Sequence, residues 1–105
     1  VFFDFDRADI TAEARDILQG MARDVEGQPV SRIVATGHAD TAGSSAYNER
    51  LSARRADAVR DALGDMGVQA DDVSTAARGE TEPLVPTGDG VREPQNRRVE
   101  ITVER

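Results

Sequence analysis

GHADTAGSSAYNERLSARRADAVRDAL, residues 37–63, contains the change of backbone period that decides the fold. The residues leading into it, from Val30 to Thr36, are β-branched and mostly apolar, as in a central strand buried on one or both faces, and Gly37 ends them. HADTAGSS then reads as a turn in which Ser44 or Ser45 can cap a helix. The spacing predicts that helix from Ala46 to Met66, closed at Gly67. On a wheel of about 100° per residue with Leu51 at zero, Ala62, Met66 and Val59 fall at about 20°, 60° and 80° and form the core-facing stripe. Arg55 falls at about 40°, inside that stripe, whereas Arg60 lies opposite and Arg50 and Arg54 lie off to the side. An unpaired buried ion costs several kcal/mol, so Arg55 needs an anion or a path to the surface.

Outward from this unit, VFFDF is a short aromatic strand that gives way to DRADITAEA, where Thr11 can cap a first helix and Glu13 sits in its first turn. Ala14, Ile17, Leu18, Met21, Ala22 and Val25 recur at helical spacing until Gly27 and Pro29 stop the run. Val73 to Arg78 is a weakly alternating third strand. GETEPLVPTGDGVREPQN is a long irregular loop, of a length that is usually functional or mobile. Val99, Ile101 and Val103 alternate with Glu100, Thr102 and Glu104, a last strand with one wet face. The order β-α-β-α-β-loop-β predicts an α+β two-layer sandwich with both helices on one face of a mixed four-stranded sheet.

Composition narrows the function. The 105 residues are expected to form a single domain, and 38% apolar residues with four aromatics imply a core of Val, Ile, Leu and Ala. A net charge of -7 opposes general binding to nucleic acid or to an acidic membrane surface. The chain has no cysteine, which removes disulfides and thiolate chemistry. No apolar run approaches the roughly 20 residues that span a bilayer, so direct membrane insertion of these residues is not expected. The first residues lie inside a strand-like run without an initiating methionine, and the chain is expected to be excised from a longer protein.

Asp40 lies at the end of the second strand, where open α/β sheets place ligand crevices. It is the natural internal partner for Arg55. Alternatively, an acid and an arginine that flank one crevice without meeting offer an acceptor for an ammonium and a planar fork for a carboxylate. That pair matches a zwitterionic amino-acid head group.

The stretch quoted above, followed by GVQADDVSTAARGETEP and NRRVEI and preceded by FFDFDRADITAEA, resembles the OmpA-like peptidoglycan-binding domain over almost the whole chain. The family usually has threonine in its GHTD segment where this chain has Ala39, but Asp40 and Gly43 are retained. The resemblance implies non-covalent binding of the peptidoglycan stem peptide through its meso-diaminopimelate, with no cofactor, in the periplasm, and tethering of a membrane-anchored parent protein to the cell wall. It implies that Asp40 binds the diaminopimelate ammonium and Arg55 its carboxylate. Thr41, Asn48 and Leu51 flank the same mouth, although Asn48 could equally be a local cap. Asp6 resembles a position near the ligand, with ordinary turn chemistry as the alternative. Arg97 and Arg98 must point to opposite faces, and Arg98, opposite Val99, is the one expected at the site.

Other classes fit less well. His38, Asp40 and Ser44 invite a Ser/His/Asp reading, but nothing resembles a nucleophile elbow, and one histidine among scattered carboxylates makes a poor zinc site. His38 is expected to be structural and hydrogen-bonded, and the chain is not expected to be an enzyme. Glu80 and Glu82 are adjacent solvent-type residues and do not read as the carboxylate pair of a glycoside hydrolase. Phe2, Phe3, Phe5 and Tyr47 make no basic-aromatic RNA-binding sheet. The remaining alternative is a protein-protein interaction module of the envelope without a small-molecule ligand.

Overall fold

The computed structural model describes residues 1–28 and 32–104. The expected strand start at Val30 and the stop at Pro29 lie outside them. Helix α1, Ala12–Val25, begins at Thr11, whose Oγ1 accepts from Ala14 N at 3.1 Å, with Glu13 at its positive end and Arg23 at its negative end. Strand β1 is Arg32–Gly37, and helix α2 is Ser45–Asp65 with Ser44 as its cap. The end of α2 is a Schellman turn: Val68 N donates to Leu63 O at 3.0 Å and Gly67 N to Gly64 O at 3.1 Å, with Gly67 at φ 95°. Strands β2, Val73–Ala77, and β3, Val99–Glu104, complete the regular elements, with short 3-10 turns at Ala70–Asp72 and Pro94–Asn96.

The sheet runs β2-β1-β3, with β1 parallel to β2 and antiparallel to β3. Ile33, Ala35 and Gly37 of β1 are buried toward the helices, in register with Val103, Ile101 and Val99 of β3. Leu18 of α1 and Val59, Ala62 and Leu63 of α2 close on Ala35, Val99 and Phe3 to form one core shared by both layers. Gly37 is required where α2 crosses the strand end, because a Cβ there would lie 1.9 Å from the Ser52 carbonyl oxygen. Ile17, expected in the apolar stripe of α1, is 58% exposed; it sits about one residue's rotation away from the buried Leu18.

The expected fourth strand is not formed among the described residues. Val1 to Phe3 runs antiparallel beside the start of β3 through Phe3 N to Arg97 O and Val99 N to Val1 O, both 2.8 Å, but makes only the single bridge Phe2 to Arg98. The physical reason lies in the carbonyls. Those of Phe3, Asp4 and Arg7 accept from the side chains of Arg97 and Arg55 rather than from a neighbouring strand. The segment turns away at Asp4 to Arg7, where Asp6 takes φ 57°. The long loop before β3 is anchored at several points: Asn96 exchanges two hydrogen bonds with Val85, and Thr41 Oγ1 accepts from Val91 N at 3.0 Å.

Candidate functional site

The chain leaves β1 at Gly37 into a turn held from both sides, with His38 N donating to Arg98 O and Ala39 N to Gly79 O, each at 2.8 Å. This fixes Asp40, which is only 4% exposed. Its Oδ1 accepts from Ala42 N at 3.2 Å, and its Oδ2 accepts from Glu93 N and from Arg97 Nη1, both at 3.3 Å. A buried carboxylate is thereby oriented by two backbone donors and one arginine, and it retains capacity to accept further donors.

Arg55 is fully buried, as its place on the helical wheel requires. Its Nε donates to Arg7 O at 2.9 Å, Nη1 to His38 O at 3.0 Å and Nη2 to Asp4 O at 3.2 Å. Its guanidinium carbon lies 5.4 Å from the centroid of the Phe3 ring. All three acceptors are neutral backbone carbonyls. Among the described residues no carboxylate hydrogen-bonds to Arg55; Asp40 pairs with Arg97 instead. Burial lowers the Arg55 pKa to about 10, opposed by the nearby charge of Asp40, so the group remains a cation at neutral pH. Of its five N–H groups, two have no partner among the described residues.

Arg55 and Asp40 both line a cavity of about 190 Å³, together with Phe5, Asp6, Tyr47, Asn48 and Leu51. The walls come from the N-terminal segment, the turn after β1 and the first turns of α2. Within this space a buried guanidinium with spare donors and a buried carboxylate stand near one another without pairing. The arrangement can accept an ammonium and donate a fork to a carboxylate of one small zwitterionic group.

Among the residues the sequence singled out, Asp6, Asp40, Asn48, Leu51 and Arg55 come together at this cavity, whereas Thr41 and Arg98 are not in its lining. Asn48 is no local cap; its Nδ2 donates to Glu80 Oε2 at 3.0 Å across the chain. Asp6 accepts from the Tyr47 hydroxyl. Thr41 instead pins the long loop, donating to Gly88 O at 2.7 Å. Arg98 points to the other face of the sheet, where its guanidinium holds Glu100 at 2.9 Å beside the buried His38. Arg97 is the arginine that reaches Asp40. The signal for it was present: the cavity lies on the helix-bearing side of the sheet, and residue 97 shares strand parity with the inward Val99. Phe5 and Tyr47 also line the cavity, although in the sequence they stand out only as aromatics.

His38 lies 3.4 Å from Glu100 on that far face, while Ser44 accepts from Tyr47 N at 3.1 Å as the cap of α2. The Ser/His/Asp arrangement is therefore not assembled among the described residues. Nor do those residues contain a cluster of three or more His, Cys, Asp or Glu able to hold a metal ion.

Comparison with known proteins follows the same lines. The profile of the OmpA family matches residues 2–97. An outer membrane protein of Gluconacetobacter diazotrophicus is 43% identical over 96% of this chain and 28% of its own length. The peptidoglycan-associated lipoprotein of Pasteurella multocida is 40% identical over 93% of this chain and 65% of its own length. The chain thus spans less than two thirds of either relative. The crystal structure of the peptidoglycan-associated lipoprotein from Burkholderia pseudomallei superimposes with a TM-score of 0.90 at 32% identity, covering 99% of this chain and 88% of that one.

Proposed function

The chain belongs to the OmpA family, and on that premise we propose that residues 1–105 form one peptidoglycan-binding unit within a longer envelope protein. It binds the wall non-covalently through the meso-diaminopimelate of the stem peptide. The observation that carries this reading is Arg55: a fully buried cation on the wall of a cavity, held by three carbonyls and unpaired with any acid among the described residues. A charge kept there without a counter-ion is costly, and a ligand carboxylate in the cavity supplies the missing anion. Asp40 accepts the ammonium of the same head group, and Asp6, Asn48 and Leu51 shape the wall around it. Binding the non-reacting end of a stem peptide requires no catalysis. The parent protein is anchored in a membrane, and this unit, in the periplasm, ties it to the wall.

Co-sedimentation with purified peptidoglycan tests the proposal. The wild-type chain is expected to pellet with the wall and to be released by free meso-diaminopimelate, and folded Asp40→Ala and Arg55→Ala variants are expected to stay in solution. A wild-type chain that does not pellet contradicts wall binding and favours an envelope interaction module without a small ligand.

A further inference from the structure

Beside a wall residue of the cavity, though outside its lining, stands a cation that none of the ion pairs among the described residues uses. Arg92 lies on the ring of Phe5, a residue of the cavity wall, with its guanidinium carbon 3.6 Å from the ring centroid. Among the described residues it makes no salt bridge, whereas Arg7, Arg32, Arg78, Arg97 and Arg98 each pair with an acid. It is exposed, yet its backbone is fixed. On one side Gly90 N donates to Thr41 O at 2.9 Å and Val91 N to Thr41 Oγ1 at 3.0 Å; on the other, Glu93 N donates to Asp40 Oδ2 at 3.3 Å. The chain on either side of Arg92 is thus tied to the turn that carries Asp40. A guanidinium stacked through its face keeps its N–H edge free for a planar, bidentate anion. The ring and the ties on either side hold that edge next to Phe5 and the turn that carries Asp40, and reduce the entropy lost when an anion is bound.

We propose that Arg92 is a specificity-determining residue that receives a second carboxylate of the ligand, one belonging to the peptide rather than to the zwitterionic head group. This rests on the wall-binding reading, in which Arg55 takes the head-group carboxylate. A stem peptide offers two sources of the second carboxylate: the α-carboxylate of its glutamyl residue and its C-terminal carboxylate. An exposed pair of this kind gives a modest gain that weakens with added salt.

The test is calorimetric titration at low ionic strength of wild type, Arg92→Gln and Arg55→Ala. The ligands are a diaminopimelate-containing tripeptide, its glutamyl α-amide and its C-terminal amide. Arg92→Gln is expected to lose about threefold to fivefold in affinity for the free tripeptide. It should match wild type on the one amide that lacks the recognised carboxylate, which identifies the source. Equal loss on all three peptides, or no loss on any, overturns the proposal; the former is what a merely structural stack on Phe5 produces. Wild-type binding that is lost in Arg55→Ala and unchanged in Arg92→Gln overturns this inference alone. Absence of wild-type binding to every peptide overturns the wall-binding reading together with it.

Discussion

Arg55 is a cation placed where an apolar residue would ordinarily be more stable, and three of its five donors are taken by backbone carbonyls. A lysine ammonium has three donors and no planar fork, so it cannot serve Arg7, His38 and Asp4 and still grip a ligand carboxylate. Arg55→Lys is expected to fold with a loss of about 1–2 kcal/mol in urea unfolding and to bind stem peptide roughly tenfold more weakly in titration. Unchanged affinity would remove the fork from the account. His38 shows the opposite economy. Burial lowers its pKa below the ordinary 6.5, and the positive charge of Arg98 lowers it further, against the pull of Glu100 and Glu82. Below pH 6.5 the unfolded chain therefore takes up a proton that the folded one resists, so stability falls with pH in that window. Glu100, held low by its hydrogen bond to Arg98, adds a loss of the same sign only below its ordinary 4.5. Denaturant unfolding between pH 7 and about pH 5 should show this slope for wild type and a flatter one for His38→Gln. A flat wild-type profile would contradict the assignment.

Helix α2 carries Asn48, Leu51 and Arg55, so its seating on β1 sets the geometry of the cavity. That seating depends on Gly37. Adding one methyl there places it 1.9 Å from the Ser52 carbonyl oxygen, within the backbone of the helix, which has to move. Gly37→Ala is expected to cost about 3 kcal/mol in urea unfolding and to weaken stem binding as Arg55 shifts. A stability within a few tenths of wild type would mean that α2 adjusts freely. The same elements show what was legible in the sequence and what was not. Both helices, β1 and β3 are written in apolar period and capping residues, and Thr11, Ser44 and Gly67 act where their chemistry suggested. The fourth strand was misread because VFFDF has strand composition, while the fate of its carbonyls depends on Arg55 and Arg97, which are remote in sequence. The sequence places Thr41 at the site by its position next to Asp40, and Arg98 by strand parity, as the residue facing away from Val99. Which neighbour actually lines a cavity depends on side-chain direction in turns, where strand parity is easily misapplied.

At the scale of the molecule, the cavity gathers segments that are far apart in sequence at one end of the sheet. Phe5 and Asp6 precede the first helix, Asp40 follows β1, and Asn48 to Arg55 open α2, while Glu93 and Arg97, ahead of β3, hold the Asp40 carboxylate from outside the lining. An overall charge of -7 leaves attraction of an anion to local arginines rather than to the field of the whole chain. Arg55, in the cavity lining, and Arg92, stacked on the wall residue Phe5, have no acidic hydrogen-bond or salt-bridge partner among the described residues, a state they share with surface arginines such as Arg15 and Arg60. In the proposed wall binding, Arg55 keeps its buried charge for a ligand carboxylate. It is tested most directly by titrating the wild-type chain with two stem peptides that differ only in whether the head-group carboxylate of diaminopimelate is free or amidated. Amidation leaves the guanidinium buried without its anion, and the expected loss is roughly 30-fold in affinity. Equal affinity for the two peptides would contradict the claim and leave Arg55 as a structural tie between α2 and the N-terminal segment.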